Sequence, residues 1–231
     1  MRLRYIDRIR AIAILCMVQV HTAAIIPPEG ISVDHPIAFV SAAIGGMAAP
    51  MFVTISGWGI YRSATRRSNS GNNNISSWIS WMIPRITILT ICQLLVNSAL
   101  FIDRGGRFDW MTPGVLTLLA LASLIGPVIV YLTNKQRFSM MLLFIISPLI
   151  IGDLSGIDLY WSERVSSIGI EEWIERLLLN GTYPAFPWLA FIFLGSLIDG
   201  DKENLDNQNR IVKIGLIIIA ISILYSLYER T

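Results

Sequence analysis

The sequence predicts an all-α fold, a polytopic transmembrane bundle of about seven spanning helices in one domain, residues 1–231, with a cytoplasmic N-terminus. Three observations predict it. Hydrophobic residues make up 54% of the chain and charged ones only 15%, where a soluble domain carries about a quarter charged, and mean hydropathy is +0.60. The apolar residues are gathered into blocks long enough to cross roughly 30 Å of hydrocarbon. Finally, the basic residues fall mostly on one side of those blocks.

In chain order the blocks are Ile9–Ile26, Ile37–Tyr61, Trp78–Phe101, Met111–Thr133, Phe138–Leu154, Pro184–Ile198 and Ile211–Tyr228. The first is no cleavable leader: a basic flank precedes it, Arg10 and His21 interrupt it and no small-residue cleavage pattern follows. Between the second and third lies a polar connector, Ser68–Ser77. The fifth and sixth are short and carry Pro148 and Pro187, whose freed backbone groups neighbouring helices must satisfy. The long segment Asp153–Tyr183 places Ile170, Trp173, Ile174, Leu177 and Leu178 on one helical face and Glu171, Glu172, Glu175 and Arg176 on the other. That pattern predicts a helix lying in the outer interface, roofing a cavity or anchoring a loop. Asn180-Gly181-Thr182 is a formal glycosylation triplet of little weight.

Orientation follows from Lys and Arg, which resist translocation. With the N-terminus inside, twelve of the 18 basic residues are cytoplasmic, five are outside, and Arg85 falls within a span. A net charge of only +2 gives no case for nucleic acid. Cys16 and Cys92 fall inside predicted spans as small apolar filler, and no metal or nucleotide-binding motif appears.

Ionisable groups inside a bilayer are costly and point to function. Arg10, His21 and Arg85 are those groups, with His35 just beyond the first span. Arg10 and His21 are eleven residues apart, so they share one face of the first helix, about 16 Å apart along its axis. Asp7, one turn before Arg10, is placed to pair with it. The plainer alternative has Arg8 and Arg10 snorkelling to inner headgroups and His21 resting in the outer interface.

The stretch from Tyr5 to His21 resembles the first helix of membrane-embedded acyltransferases: an Asp, an Arg shortly after it, ten residues and a His. That signature is shared by enzymes that O-acetylate bacterial surface glycans and by the heparan-α-glucosaminide N-acetyltransferase family. Two further features are similar to the second family: His35 followed by Pro50-Met51-Phe52 and Gly57, and Thr112-Pro113-Gly114-Val115-Leu116 opening a later helix. Tyr183-Pro184-Ala185-Phe186-Pro187-Trp188 with Gly195 resembles a stretch of its small prokaryotic members. The chain departs from the pattern at Ala11, where Gly is usual, and at Thr117-Leu118, where Gln-Arg is usual. It resembles the catalytic module alone, without the further helices and lumenal domain of the animal enzyme.

The resemblance implies acetyl transfer from cytoplasmic acetyl-CoA, as the acyl-donor substrate, to an amino sugar or hydroxyl of a glycan on the outer face, in the plasma membrane and without a metal. Arg8, Arg10, Arg62, Arg66 and Arg67 gather where charge-assisted bonds would hold the donor's phosphates. His35 is then the general base and His21 positions the thioester carbonyl, direct transfer being preferred to an acetyl-histidine intermediate. Asp7, Asp34 and Ser56 are orienting candidates. An uncovered flank of the bundle suggests a homodimer. The competing reading is a non-catalytic membrane protein, a small transporter or scaffold subunit, with His and Arg lining a polar path. The lack of an internal repeat disfavours a transporter.

Overall fold

A computed structural model describes residues 4–26, 35–71, 74–156, 158–198 and 213. Two compact units divide the chain, Met1–Leu197 and Ile198–Thr231. Only Ile198 and Lys213 of the second are described, so the predicted seventh span lies outside the described residues, as does Asp34.

The first unit is helical: α1 (Arg4–Ile25), α2 (Pro36–Gly46), α3 (Ala48–Asn69), α4 (Ile75–Ala99), α5 (Val115–Ile129), α6 (Asn134–Ile151), α7 (Trp161–Val165), α8 (Gly169–Glu175) and α9 (Ala185–Ile198). No strand occurs among the described residues; Phe101 and Phe108 form an isolated bridge in the loop before α5. Among the described residues three helices are long and apolar enough to cross a membrane: α2 and α3 run together as Pro36–Asn69, then come α4 and the helix Asn134–Ser155. A fourth is reached if Gly169–Asn180 and α9, bent by 54°, count as one broken span. Six of the seven expected spans fall within the described residues, and three or four of these helical stretches meet that measure. The charges of α1 and the 15-residue length of α5 set these two apart from the longer apolar helices.

The apolar surplus faces outward. Leu149 is 86% exposed and Leu15 69%, which suits a chain whose outer solvent is lipid. A smaller core of Val53, Ile60, Leu118, Ala122, Ile129, Leu189, Ile192 and Phe193 joins α3, α5 and α9. Around it α1 lies against α2 and α3, and α5 bridges α3 and α4.

Close helix approach replaces hydrophobic drive in such a bundle. A Cβ on Gly57 would stand 2.4 Å from Ile192 O, and one on Gly195 would stand 2.0 Å from Thr54 O. Glycine at these positions therefore lets the α3 and α9 backbones touch. The Thr112-Pro113-Gly114 run is equally structural. Gln93 Oε1 accepts the Leu116 N–H at 3.2 Å and caps α5, while a Cβ on Gly114 would meet the Gln93 amide at 2.6 Å. Gln93 in turn donates to Asn97, whose Nδ2 donates to Trp110 O and Thr112 O. A capping box, Thr133 with Gln136, starts α6.

The expected interfacial helix forms in part. α8 continues into a π turn, Arg176–Asn180, which begins at a buried Arg176. Its guanidinium is buried and donates to Asn180 Oδ1, Glu172 Oε1 and Ser166 O. Arg176 therefore does not lie on the polar face the periodicity predicted, and Ile170 of the predicted apolar face is exposed. Asn180 is also buried, hydrogen-bonded to Glu175 and Leu154 O, which withdraws the glycosylation triplet from solvent.

Candidate functional site

The side chains of α1 line two cavities with one stripe of residues. Ile6, Asp7 and Arg10 face the first cavity and Met17, Val20 and His21 the second; Ala13, wholly buried, lies between the two sets. The spacing of four, three and four residues from Ile6 to Met17 is that of one helical face.

The first cavity, about 660 Å³, opens at the end of the unit that holds the α3–α4 connection. α3 contributes Phe52, Ser56, Gly59, Ser63 and Arg66, again at helical spacing, with Arg62 beside them; α4 contributes Arg85 and α5 contributes Ser123. Four arginines and one carboxylate thus line it. Arg10 and Asp7 pair at 3.9 Å, both partly exposed, so the pair contributes little to stability. The Arg62 guanidinium lies 5.0 Å over Trp58, and that of Arg85 4.5 Å over Trp81. Such stacking holds a cation in place without neutralising it. Arginines thus outnumber carboxylates four to one in the lining of this cavity.

The second cavity, about 690 Å³, lies at the opposite end of α1. Gly45, Gly46, Ala48 and Ala49 at the α2–α3 junction leave it room, and a Cβ on Gly45 would meet Val20 at 2.9 Å. Aromatic side chains, Phe108, Trp161, Tyr183 and Trp188, supply much of its wall, with Arg107, His21 and Thr182 as polar groups. The indole of Trp161 is tied by Nε1 to Arg107 O at 2.9 Å, and the Tyr183 and Trp188 rings meet edge to face at 4.9 Å. Burial pushes the Tyr183 phenol up. Thr182 Oγ1 donates to Pro113 O, which anchors this wall to the start of α5.

The expected site residues divide accordingly. Arg10, Arg62, Arg66, Asp7 and Ser56 meet in the first cavity and His21 lines the second. Arg8 is exposed and lines neither. Arg67 turns aside to donate to Ser77 O and Oγ, at 2.7 and 2.6 Å, and ties α3 to α4. His35 caps α2, its Nδ1 accepting the Ile37 N–H at 3.2 Å, and lines neither cavity. It begins the helix whose other end, Gly45 and Gly46, borders the His21 cavity, about 15 Å further along the axis. Arg85, which the sequence marks as a charge inside an apolar span but which was not among the expected donor-binding arginines, also lines the first cavity. The aromatic wall of the second cavity was also missed. No group of three or more metal-ligating side chains occurs among the described residues.

A family model described as heparan-alpha-glucosaminide N-acetyltransferase, catalytic, matches residues 2–225. No curated protein matches the chain, and no solved structure does.

Proposed function

The chain belongs to the heparan-α-glucosaminide N-acetyltransferase catalytic family, and from that membership we propose that it moves an acetyl group from acetyl-CoA in the first cavity to a glycan acceptor in the second. Membership makes it a membrane acetyltransferase in kind. The observation that supports the finer reading is the division of α1 between an arginine-lined cavity at one end and a cavity holding His21 at the other.

In this reading the first cavity faces the cytoplasm. Arg10, Arg62 and Arg66 hold the donor's phosphates by charge-assisted hydrogen bonds. The pantetheine arm then runs along α1 for about 16 Å, the rise from Arg10 to His21, and brings the thioester to the aromatic cavity. A sugar ring stacks on the Trp161, Tyr183 and Trp188 faces. His35 lines neither cavity as the helices stand, so its role as base requires the head of α2 to close on the acceptor, where it takes the proton of the attacking amine or hydroxyl. The nucleophile bonds to the carbonyl carbon, the C–S bond breaks, and the thiolate leaves as CoA, taking the proton back from the imidazolium. His21 donates to the carbonyl oxygen as negative charge develops there. An imidazole suits these tasks near neutral pH, with an unperturbed pKa of about 6.5. The protein acts in the plasma membrane as a homodimer whose partner covers the open flank.

Purified protein given labelled acetyl-CoA and a glucosamine-type acceptor tests the reading. Acetylated acceptor is expected, reduced at least ~100-fold by His21→Ala and by His35→Ala, the low end for a general acid–base group. If neither substitution lowers turnover, the histidine assignment is wrong. Without acceptor the protein itself should stay unlabelled; stable label on a histidine would replace direct transfer by the covalent route.

A further inference from the structure

Arg85 is the cavity arginine that the signature-bearing helices do not supply, and its surroundings leave it underused. Among the described residues no carboxylate pairs with it. Its Nη2 donates to Ser63 Oγ at 3.3 Å, and the same oxygen accepts from Trp81 Nε1 at 3.3 Å. Both bonds are long, and a guanidinium carries five N–H donors. Trp81 lies beneath it at 4.5 Å and sits in the gap beside Gly126 of α5, so the cation is held but not satisfied. A half-buried arginine in a predicted span, fixed by stacking and short of acceptors, is poised for an anion brought by a ligand.

Position selects which anion. Arg66 lies three residues from the end of α3, at the cavity mouth, whereas Arg85 meets α3 at Ser63, about 4.5 Å deeper. A CoA thioester with its arm directed along α1 toward His21 enters in a fixed order: adenosine 3′-phosphate at the mouth, then the diphosphate, then the arm. We propose that Arg85 binds the donor's diphosphate and thereby selects CoA thioesters over acyl carriers whose phosphopantetheine ends in a single phosphate. The inference rests on the acetyl-CoA reading above and deepens it.

The test is direct binding to the full chain in lipid nanodiscs, with CoA, 3′-dephospho-CoA and 4′-phosphopantetheine as probes and melting temperature as a check on folding. The unsubstituted protein should prefer CoA and dephospho-CoA to phosphopantetheine at least tenfold. Arg85→Gln should weaken CoA and dephospho-CoA by the same factor, at least tenfold, and abolish that preference. Arg66→Gln should weaken CoA alone. An Arg85→Gln loss on CoA that spares dephospho-CoA would reassign Arg85 to the 3′-phosphate and overturn the proposal, as would no loss on either. Should Arg85→Gln fail to fold, Arg85→Lys keeps the charge without the planar fork; a smaller, equal loss on both ligands is expected, and an unequal loss overturns the inference. If the unsubstituted protein binds none of the three, the acetyl-CoA reading falls and this inference with it. Binding without the diphosphate preference defeats the inference alone.

Discussion

Residue by residue, the cavity follows helical geometry that local charge density conceals. Arg62 and Arg66 are four apart and share a face, whereas Arg67 is turned about 100° from Arg66 and reaches Ser77 instead. In the same way Arg8 stands about 200° from Arg10, away from the cavity. Arg67→Gln should therefore leave CoA affinity within about twofold while Arg62→Gln weakens it at least tenfold, read by the same binding measurement. Away from the cavities, Arg176 is the residue whose loss should cost most. Arg176→Ala strands Glu172 and Asn180 and should lower stability by about 1–3 kcal/mol, seen as a lowered melting temperature in detergent. The Ile168 N–H and then Arg176 hold the Glu172 carboxyl below its ordinary range. A depressed carboxylate stabilises above its unfolded pKa, and that contribution is lost as pH falls through the folded value. Acid should therefore destabilise the parent more than Arg176→Ala. Arg10, Arg62, Arg66 and Ser56 were legible from a signature and a bias of charge. Arg85 was legible only as a charge inside a span; its turn into the cavity was not, because the pattern of α4 singles out no inward face.

At the level of elements, the glycines decide where helices touch. Gly57 and Gly195 bring α3 and α9 to backbone contact, while Gly59, two residues from Gly57, has open space where a Cβ would stand. Gly195→Val should therefore abolish folded protein, and Gly59→Ala should be neutral or stabilise it by about 0.5 kcal/mol through helix propensity; size-exclusion profile and melting temperature separate the two. Helix existence was plain from block length: five of the six predicted blocks within the described residues each fall on one helix, and the second, Ile37–Tyr61, falls on two, α2 and α3. Their lengths were harder to read. α2 starts at Pro36, one residue before the predicted block, but α3 runs eight residues past its end to Asn69, through arginines that a hydropathy reading excludes. The π turn over Arg176–Asn180 is likewise outside what a 3.6-residue period contains.

For the whole molecule, the two cavities and the helix between them make the functional claim. Ala13 occupies the stripe of α1 between them with no exposed surface, so packed side chains separate the two cavities along that stripe, and Ala13→Phe should overfill the packing there and lower the melting temperature. The central claim, acetyl transfer from one end of this bundle to the other, is tested most directly in sealed proteoliposomes with labelled acetyl-CoA supplied on one side and glucosamine enclosed on the other. The account predicts acetylated glucosamine inside the vesicles, dependent on His21 and absent from protein-free liposomes. Intact vesicles in which the protein binds acetyl-CoA yet leaves the enclosed glucosamine unacetylated would contradict it.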